Sequence, residues 1–324
     1  YVISLGLVGS EMGISDRTNI GLDGKIGSAA GGKWYGGVYG WGFTVVVPQT
    51  GALAHRQTFN RGIEGFLNAL LLTGDRSLLD PWRKQMIKVN SNKKVVNGKT
   101  VYPHKYGDDG WYNFRPQPYN AGSREIYYAT MRDDDLSRVA PNPWFEYLKG
   151  KNPDYPQEVL RNDFAHIRTA VAGMRADETT PDTRLADDPM RFNPAATRSL
   201  VELMLGGLYP TKNGLILHCR LRYFDPHKRR AGAPDDVAAL VEKMTDEEVV
   251  VTLVNINQSD SRTVVVQAGA HGEHQFISAT IGGSSQEINA SHFSVELGSG
   301  CGSRLTLKMQ RYVNQPTMTF PWDR

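Results

Sequence analysis

The sequence predicts an α+β multidomain chain, with a helical region first and an antiparallel β-sandwich after it. Two observations predict this. Apolar residues between about 53 and 205 recur at the spacing of amphipathic helices, as in Ile63, Phe66, Leu67, Leu70 and Leu71. Beyond about 246 the pattern becomes short β-branched runs at regular spacing, with Gly, Asn and Ser between them. The boundaries read as a helical domain over 1–206, a connecting segment over 207–245 and a β-sandwich over 246–324.

Residues 1 to 50 are glycine-rich and end in a β-like run, Thr44 to Val47, stopped by Pro48. Leu53 to Thr73 reads as the clearest helix, with Phe59 joining its apolar stripe. Gly74 caps it, and Asp75 can cap the next helix, from about Ser77 to Val89, with Pro81 in its first turn. Residues 91 to 122 read as a long loop holding a small hairpin around Asn97-Gly98. Ser123 can cap a short helix. Further helices are expected over about Pro156 to Arg175, with Leu160, Phe164, Ile167, Val171 and Met174 on one face, and over Pro194 to Leu205. A strand from Leu215 to Phe224 and a short helix near Asp235 to Met244 precede the runs Val249–Ile256, Arg262–Ala268, Gln275–Ile281, His292–Leu297 and Arg304–Gln310.

The 324 residues carry a net charge of +3 and 40% apolar content, enough for two cores. No Lys/Arg run longer than Lys228-Arg229-Arg230 and no nucleic-acid motif occurs, and no apolar run reaches the length of a membrane span. The opening YVISLGLVGSEMG lacks a Met, a basic leader and a signal peptide. It reads as a start partway into a domain, with an N-terminal fragment or another chain completing the helical part. Cys219 and Cys301 are either one disulfide of an exported protein or two small buried hydrophobes.

Two stretches concentrate chemistry. Lys33–Phe43 sets Trp34, Tyr35, Tyr39, Trp41 and Phe43 among four glycines. Tyr102–Tyr128 interleaves eight aromatics, Trp111 among them, with His104, Asp108, Asp109, Arg115, Asn120, Arg124 and Glu125. Together they hold 13 of the chain's 31 aromatics and read as two walls of one site. Sugar rings stack a C–H face on Trp and Tyr, and their hydroxyls take Asn, Asp, Arg and His, so a glycan fits these walls. There is no P-loop, no G-x-G-x-x-G and no G-x-S-x-G, which argues against nucleotide and serine-hydrolase chemistry.

Helical hairpins with the Thr73-Gly74-Asp75 turn, a Gly-rich aromatic loop and a C-terminal β-sandwich together resemble the (α/α)-toroid carbohydrate-active enzymes, polysaccharide lyases and glycoside hydrolases among them. The chain also resembles a group of uncharacterised bacterial proteins. The resemblance covers most of the chain and is architectural. It implies a helical toroid, incomplete here because such rings normally need more helices, and a secreted or periplasmic protein acting on a polysaccharide.

The favoured chemistry is β-elimination at a uronic acid. Arg115 or Arg124 neutralises the carboxylate. His104 is the base, with His55 as the other candidate, and Tyr106 serves as acid or base. Trp34, Tyr35, Tyr39, Trp41, Trp111, Asn120 and Glu125 bind substrate. Hydrolysis by a carboxylate pair drawn from Asp108, Asp109, Glu125 and Glu64 is the alternative, and a non-catalytic glycan binder is the third reading. No catalytic cofactor or metal is implied. His271-Gly-Glu-His274 reads as a solvated turn. Asp133-Asp134-Asp135 and Asp187-Asp188 read as solvated loops, with structural calcium left open. Asn257-Gln-Ser259 and Asn289-Ala-Ser291 are glycosylation acceptors in a host that glycosylates.

Overall fold

The computed structural model describes residues 42–46, 53–57, 62–107, 110–183, 192–210 and 216–324. It is an α+β structure whose sheets are antiparallel and whose C-terminal region is rich in strand. The chain divides into two compact units, Tyr1–Ala140 and Pro141–Arg324.

In the first unit, β1 (Gly42–Val46) pairs antiparallel with β2 (Leu53–Gln57), His55 standing opposite Thr44. The helix expected from Leu53 therefore begins later. Residues 53–57 pair as a strand, and α1 covers Gly62–Thr73. Its stripe is as read: Ile63, Phe66, Leu67, Leu70 and Leu71 are all buried. Phe59 lies outside the described residues. Gly74, at φ +73°, returns its N–H to the Leu70 carbonyl and ends the helix. The Asp75 carboxylate then accepts from the Ser77 N–H and caps a 3-10 turn, Arg76–Leu79. That turn leads into α2 (Asp80–Ser91), with Pro81 in its first turn. Phe66 of α1 meets Trp82 of α2, ring centroids 6.1 Å apart.

The segment expected as a long loop is mostly two hairpins. β3 (Lys94–Val96) and β4 (Lys99–Val101) join through Asn97-Gly98, both at positive φ, a two-residue turn whose twist matches the strands. β5 (Lys105–Gly107) and β6 (Gly110–Tyr112) follow, and a Tyr102–Arg115 bridge extends their ladder. α3 (Ser123–Thr130) starts at Gly122, φ +79°, so the cap falls one residue before Ser123. The short α4 is Asp133–Leu136.

The second unit opens with α5 (Pro143–Leu148), which the sequence pattern does not mark, followed by α6 (Tyr155–Ala176), near its expected place, and α7 (Arg198–Leu205), which starts four residues later than expected. The apolar face of α6 is only partly covered: Phe164 is 59% exposed and Met174 53%.

The strand expected over Leu215–Phe224 is present as a shorter strand ending at Asp225, and two strands that the sequence pattern does not indicate follow it. β7 (Leu221–Asp225), β8 (Arg230–Ala231) and β9 (Val237–Met244) precede β10 (Glu248–Asn255), β11 (Arg262–Ala268), β12 (Gln275–Ile281), β13 (Ser284–Ala290), β14 (His292–Leu297) and β15 (Gly302–Gln310). The short helix expected at Asp235–Met244 is strand β9. One sheet runs β13-β12-β15-β10-β9, the other β14-β11-β7-β8. Alternate residues Val249, Val251 and Leu253 of β10 are fully buried, as are Leu305 and Leu307 of β15. Phe276 of the first sheet meets Phe293 of the second edge-on at 5.2 Å.

Candidate functional site

The second aromatic stretch is built onto α2. Asn90, in the helix's last turn, mimics a strand partner: its side-chain carbonyl accepts from the Tyr119 N–H at 2.8 Å, and its amide donates to the Tyr119 carbonyl at 2.9 Å. The Trp82 indole N–H donates to the Ala121 carbonyl at 2.7 Å. These bonds hold residues 119–121 against a buried helix face, and that anchored backbone in turn holds His104. The His104 Nε2–H donates to the Gln117 carbonyl at 3.0 Å, and its ring meets Tyr119 edge-on at 5.7 Å. A carbonyl can only accept, so the neutral ring carries its proton on Nε2 and keeps Nδ1 as the basic nitrogen.

Around His104 the hairpin sets the other candidates by register. Tyr106 stands directly opposite Trp111, and Arg115 pairs with Tyr102 at the open end. The Arg115 side chain is exposed, and Trp111 and Asn120 are half-buried. β2, which carries His55, lies against β5, which carries Tyr106. The tail of the first aromatic stretch, Gly42-Phe43, belongs to β1, the partner of β2.

Two candidates are engaged with each other. Arg124 donates from Nε and from Nη2, at 2.8 Å, to one Glu125 oxygen. A neutralising role for Arg124 has to compete with that pair. Trp34, Tyr35, Tyr39, Trp41 and Asp108 lie outside the described residues, as do Asp109 and Asp187-Asp188.

Several polar groups read from sequence as solvated are buried. Asp135 is 1% exposed and receives Arg83 at both oxygens, 2.8 and 2.7 Å, plus the Thr130 hydroxyl at 2.7 Å. Burial pushes its carboxyl up. The Arg83 and Thr130 hydrogen bonds, with the charges of Arg83 and Arg138, outweigh burial and leave it below the ordinary aspartate value. Its two neighbours, Asp133 and Asp134, are exposed, as expected of a solvated segment.

The His271–His274 turn is also buried rather than solvated. Glu273 is 1% exposed and accepts from the Ala270 and His271 N–H groups. Burial pushes its carboxyl up to about 7, against those hydrogen bonds and the charge of Arg311. His274 accepts the Tyr312 N–H at Nδ1, and burial holds it neutral, with a pKa well below the usual value. Sequence reasoning missed this because a Gly-flanked, polar tetrapeptide has no apolar signal of burial. The room comes from Gly269, at φ +87°, where a Cβ would lie 2.3 Å from the Glu273 carboxyl carbon.

Among the described residues no group of three or more His, Cys, Asp or Glu is placed to hold a metal ion. Cys219 and Cys301 are not bonded to each other, the first buried and the second exposed. No helix among the described residues is long and apolar enough to cross a membrane.

Residues 13–102 and 140–201 match a family model described as a domain of unknown function (DUF8034). No curated protein and no solved structure matches the chain. The interval between the matched segments, 103–139, contains His104, the β5–β6 hairpin and Asp135, whose partner Arg83 lies in the first matched segment.

Proposed function

We propose that this protein is an exported carbohydrate-active enzyme that cleaves a uronic-acid-containing polysaccharide by β-elimination. The observation that carries the reading is the anchored His104. Its Nε2 is committed to a backbone carbonyl and its Nδ1 is the basic nitrogen, on a segment that also holds Tyr106, Trp111 and Arg115. The finer architecture belongs to the same reading: the two antiparallel sheets form a β-sandwich, and the helices are part of an (α/α)-toroid completed by further helices.

The chemistry assigned to each residue follows from its group. Arg115 draws negative charge from the substrate carboxylate, which makes the adjacent C–H proton more acidic. His104 Nδ1 takes that proton. The electron pair becomes a carbon–carbon double bond as the glycosidic C–O bond breaks, and Tyr106 gives its proton to the leaving oxygen. Trp111, Tyr39 and Trp41 supply stacking faces. Hydrolysis would instead require two free carboxyl groups. Against it, the Glu125 carboxylate is held by Arg124.

The test is turnover of a uronate polymer. Elimination yields an unsaturated, ultraviolet-absorbing end. A hydrolase yields reducing ends without that absorbance, and a binding protein yields neither. His104→Ala should lower kcat by about 100-fold or more while leaving glycan affinity within about twofold, because a proton-transfer group acts mainly in the transition state. Full turnover by His104→Ala would move the role of base to His55 or a tyrosine.

A further inference from the structure

Residues 81–122 carry eight Lys and Arg and two Asp, a balance of +6 in a chain whose total is +3. The rest of the chain is therefore net negative, although residues 220–230 hold a second basic cluster of five Lys and Arg with one Asp. There Lys228, Arg229 and Arg230 are paired with Asp235 and Asp323. Arg83, Lys84 and Lys88 belong to α2, where Arg83 is paired with Asp80 and Asp135, and the other five cations lie on or beside the two hairpins. Residues 91–100 are all exposed, Lys93, Lys94 and Lys99 among them, and Arg115 is exposed as well. Register puts Lys94, Val96, Lys99 and Val101 on one face of the β3–β4 hairpin. None of Lys93, Lys94, Lys99, Lys105 and Arg115 meets a carboxylate among the described residues.

Aromatic rings hold two of these cations in place. The Lys94 ammonium sits over the Phe114 ring, 3.8 Å from its centroid, and so links the first hairpin to the strand end of the second. The Lys105 ammonium lies 5.9 Å from the Tyr112 centroid. A lysine held over a ring loses less side-chain freedom on meeting an anion than a free one does. The Lys94 contact covers one face of the Phe114 ring, which leaves fewer open aromatic faces for stacking nucleic-acid bases in succession. Charge, more than base stacking, is what this surface offers.

We propose that the β3–β4 and β5–β6 hairpins form an extended binding surface for a polyanionic glycan, one bearing carboxylate or sulfate groups on successive sugars. Lys93, Lys94 and Lys99 grip units that flank the bond being cleaved. The inference rests on the glycan reading above and deepens it: these lysines position the polymer and take no part in proton transfer.

The experiment is binding, measured by titration calorimetry on the whole chain, with polygalacturonate, heparin and neutral dextran as probes and duplex DNA as a competing polyanion. The wild type should bind one or both acidic glycans, with affinity falling steeply as salt rises, and should not bind dextran. In the K93Q/K94Q/K99Q variant that affinity should fall about tenfold or more at low salt, with a shallower salt dependence. All three side chains are exposed, and only the Lys94 contact with Phe114 is lost, so the thermal midpoint should fall by no more than about 4 °C. Dextran binding as tight as acidic-glycan binding, an unchanged salt slope in the triple variant, or DNA bound more tightly than both acidic glycans would overturn the inference. Charge-dependent glycan binding without any turnover would leave it standing and count against the enzymatic reading. Turnover with salt-independent binding would do the reverse.

Discussion

Glu273 and Asp135 are both 1% exposed, yet their carboxyls shift in opposite directions. The difference lies in their partners. Asp135 faces two guanidinium nitrogens, whereas Glu273 faces mainly backbone N–H groups. For Asp135 the folded value lies below 3.8, so its stabilisation is complete above about pH 4 and is lost as pH falls through the lower folded value. Asp135→Asn should cost about 3 kcal/mol at neutral pH, near the low end for a broken buried pair because Arg83 keeps Asp80. Urea unfolding at neutral pH checks the magnitude, and a weaker acid dependence in the variant checks the cause.

For Glu273 the sign reverses. Between about pH 4.5 and about 7 the native state keeps a proton that the unfolded chain has released, so stability falls as pH rises across that window. Glu273→Gln should flatten this dependence, which thermal unfolding at either end of the window measures. An unchanged slope would mean that Glu273 is ionised in the fold. Neither carboxyl was legible in the sequence. Burial of a lone acid depends on a guanidinium or backbone groups far off in the chain or hidden in a turn, and local composition carries no record of either.

At the scale of elements, legibility followed how local the deciding physics is. The α1 stripe, the Thr73-Gly74-Asp75 turn and the Asn97-Gly98 hairpin rest on contacts within a few residues, and each was readable. β9 was not: Ala238, Ala239, Leu240, Glu242 and Lys243 are good helix formers, and pairing with β10 overrides their preference. β13, Ser284–Ala290, is almost wholly exposed at a sheet edge, so it lacks the apolar alternation that marks a strand. β2 is too short and too mixed to be told from the helix that follows it. One element-scale prediction bears on the site. Gly122 sits at φ +79°, and a Cβ there would lie 2.3 Å from the Trp82 Nε1 that holds Ala121. Gly122→Ala should therefore destabilise by roughly 1–3 kcal/mol and loosen the loop that orients His104. Denaturant unfolding reads the first effect, and reduced turnover relative to a surface Gly150→Ala control reads the second.

Across the whole molecule, the sequence announces what the site is made of more clearly than where it lies. Aromatic density and the His/Tyr/Arg mixture drew attention to residues 102–128 at once. The net charge of +3 concealed the concentration of lysines over 81–122, because acidic residues elsewhere cancel it. The anchoring of His104 depends on Gln117, 13 residues on, and on the Asn90–Tyr119 pair, whose members are 29 residues apart, separations at which sequence pattern is silent. The central claim is that this anchored imidazole removes a proton from a uronic acid. The most direct measurement is ultraviolet-monitored digestion of polygalacturonate and related uronate polymers by the wild type and by His104→Ala. The account predicts unsaturated product from the wild type and at least about 100-fold less from the variant, with binding retained. Reducing ends without ultraviolet absorbance, or unsaturated product formed equally by both proteins, would contradict it.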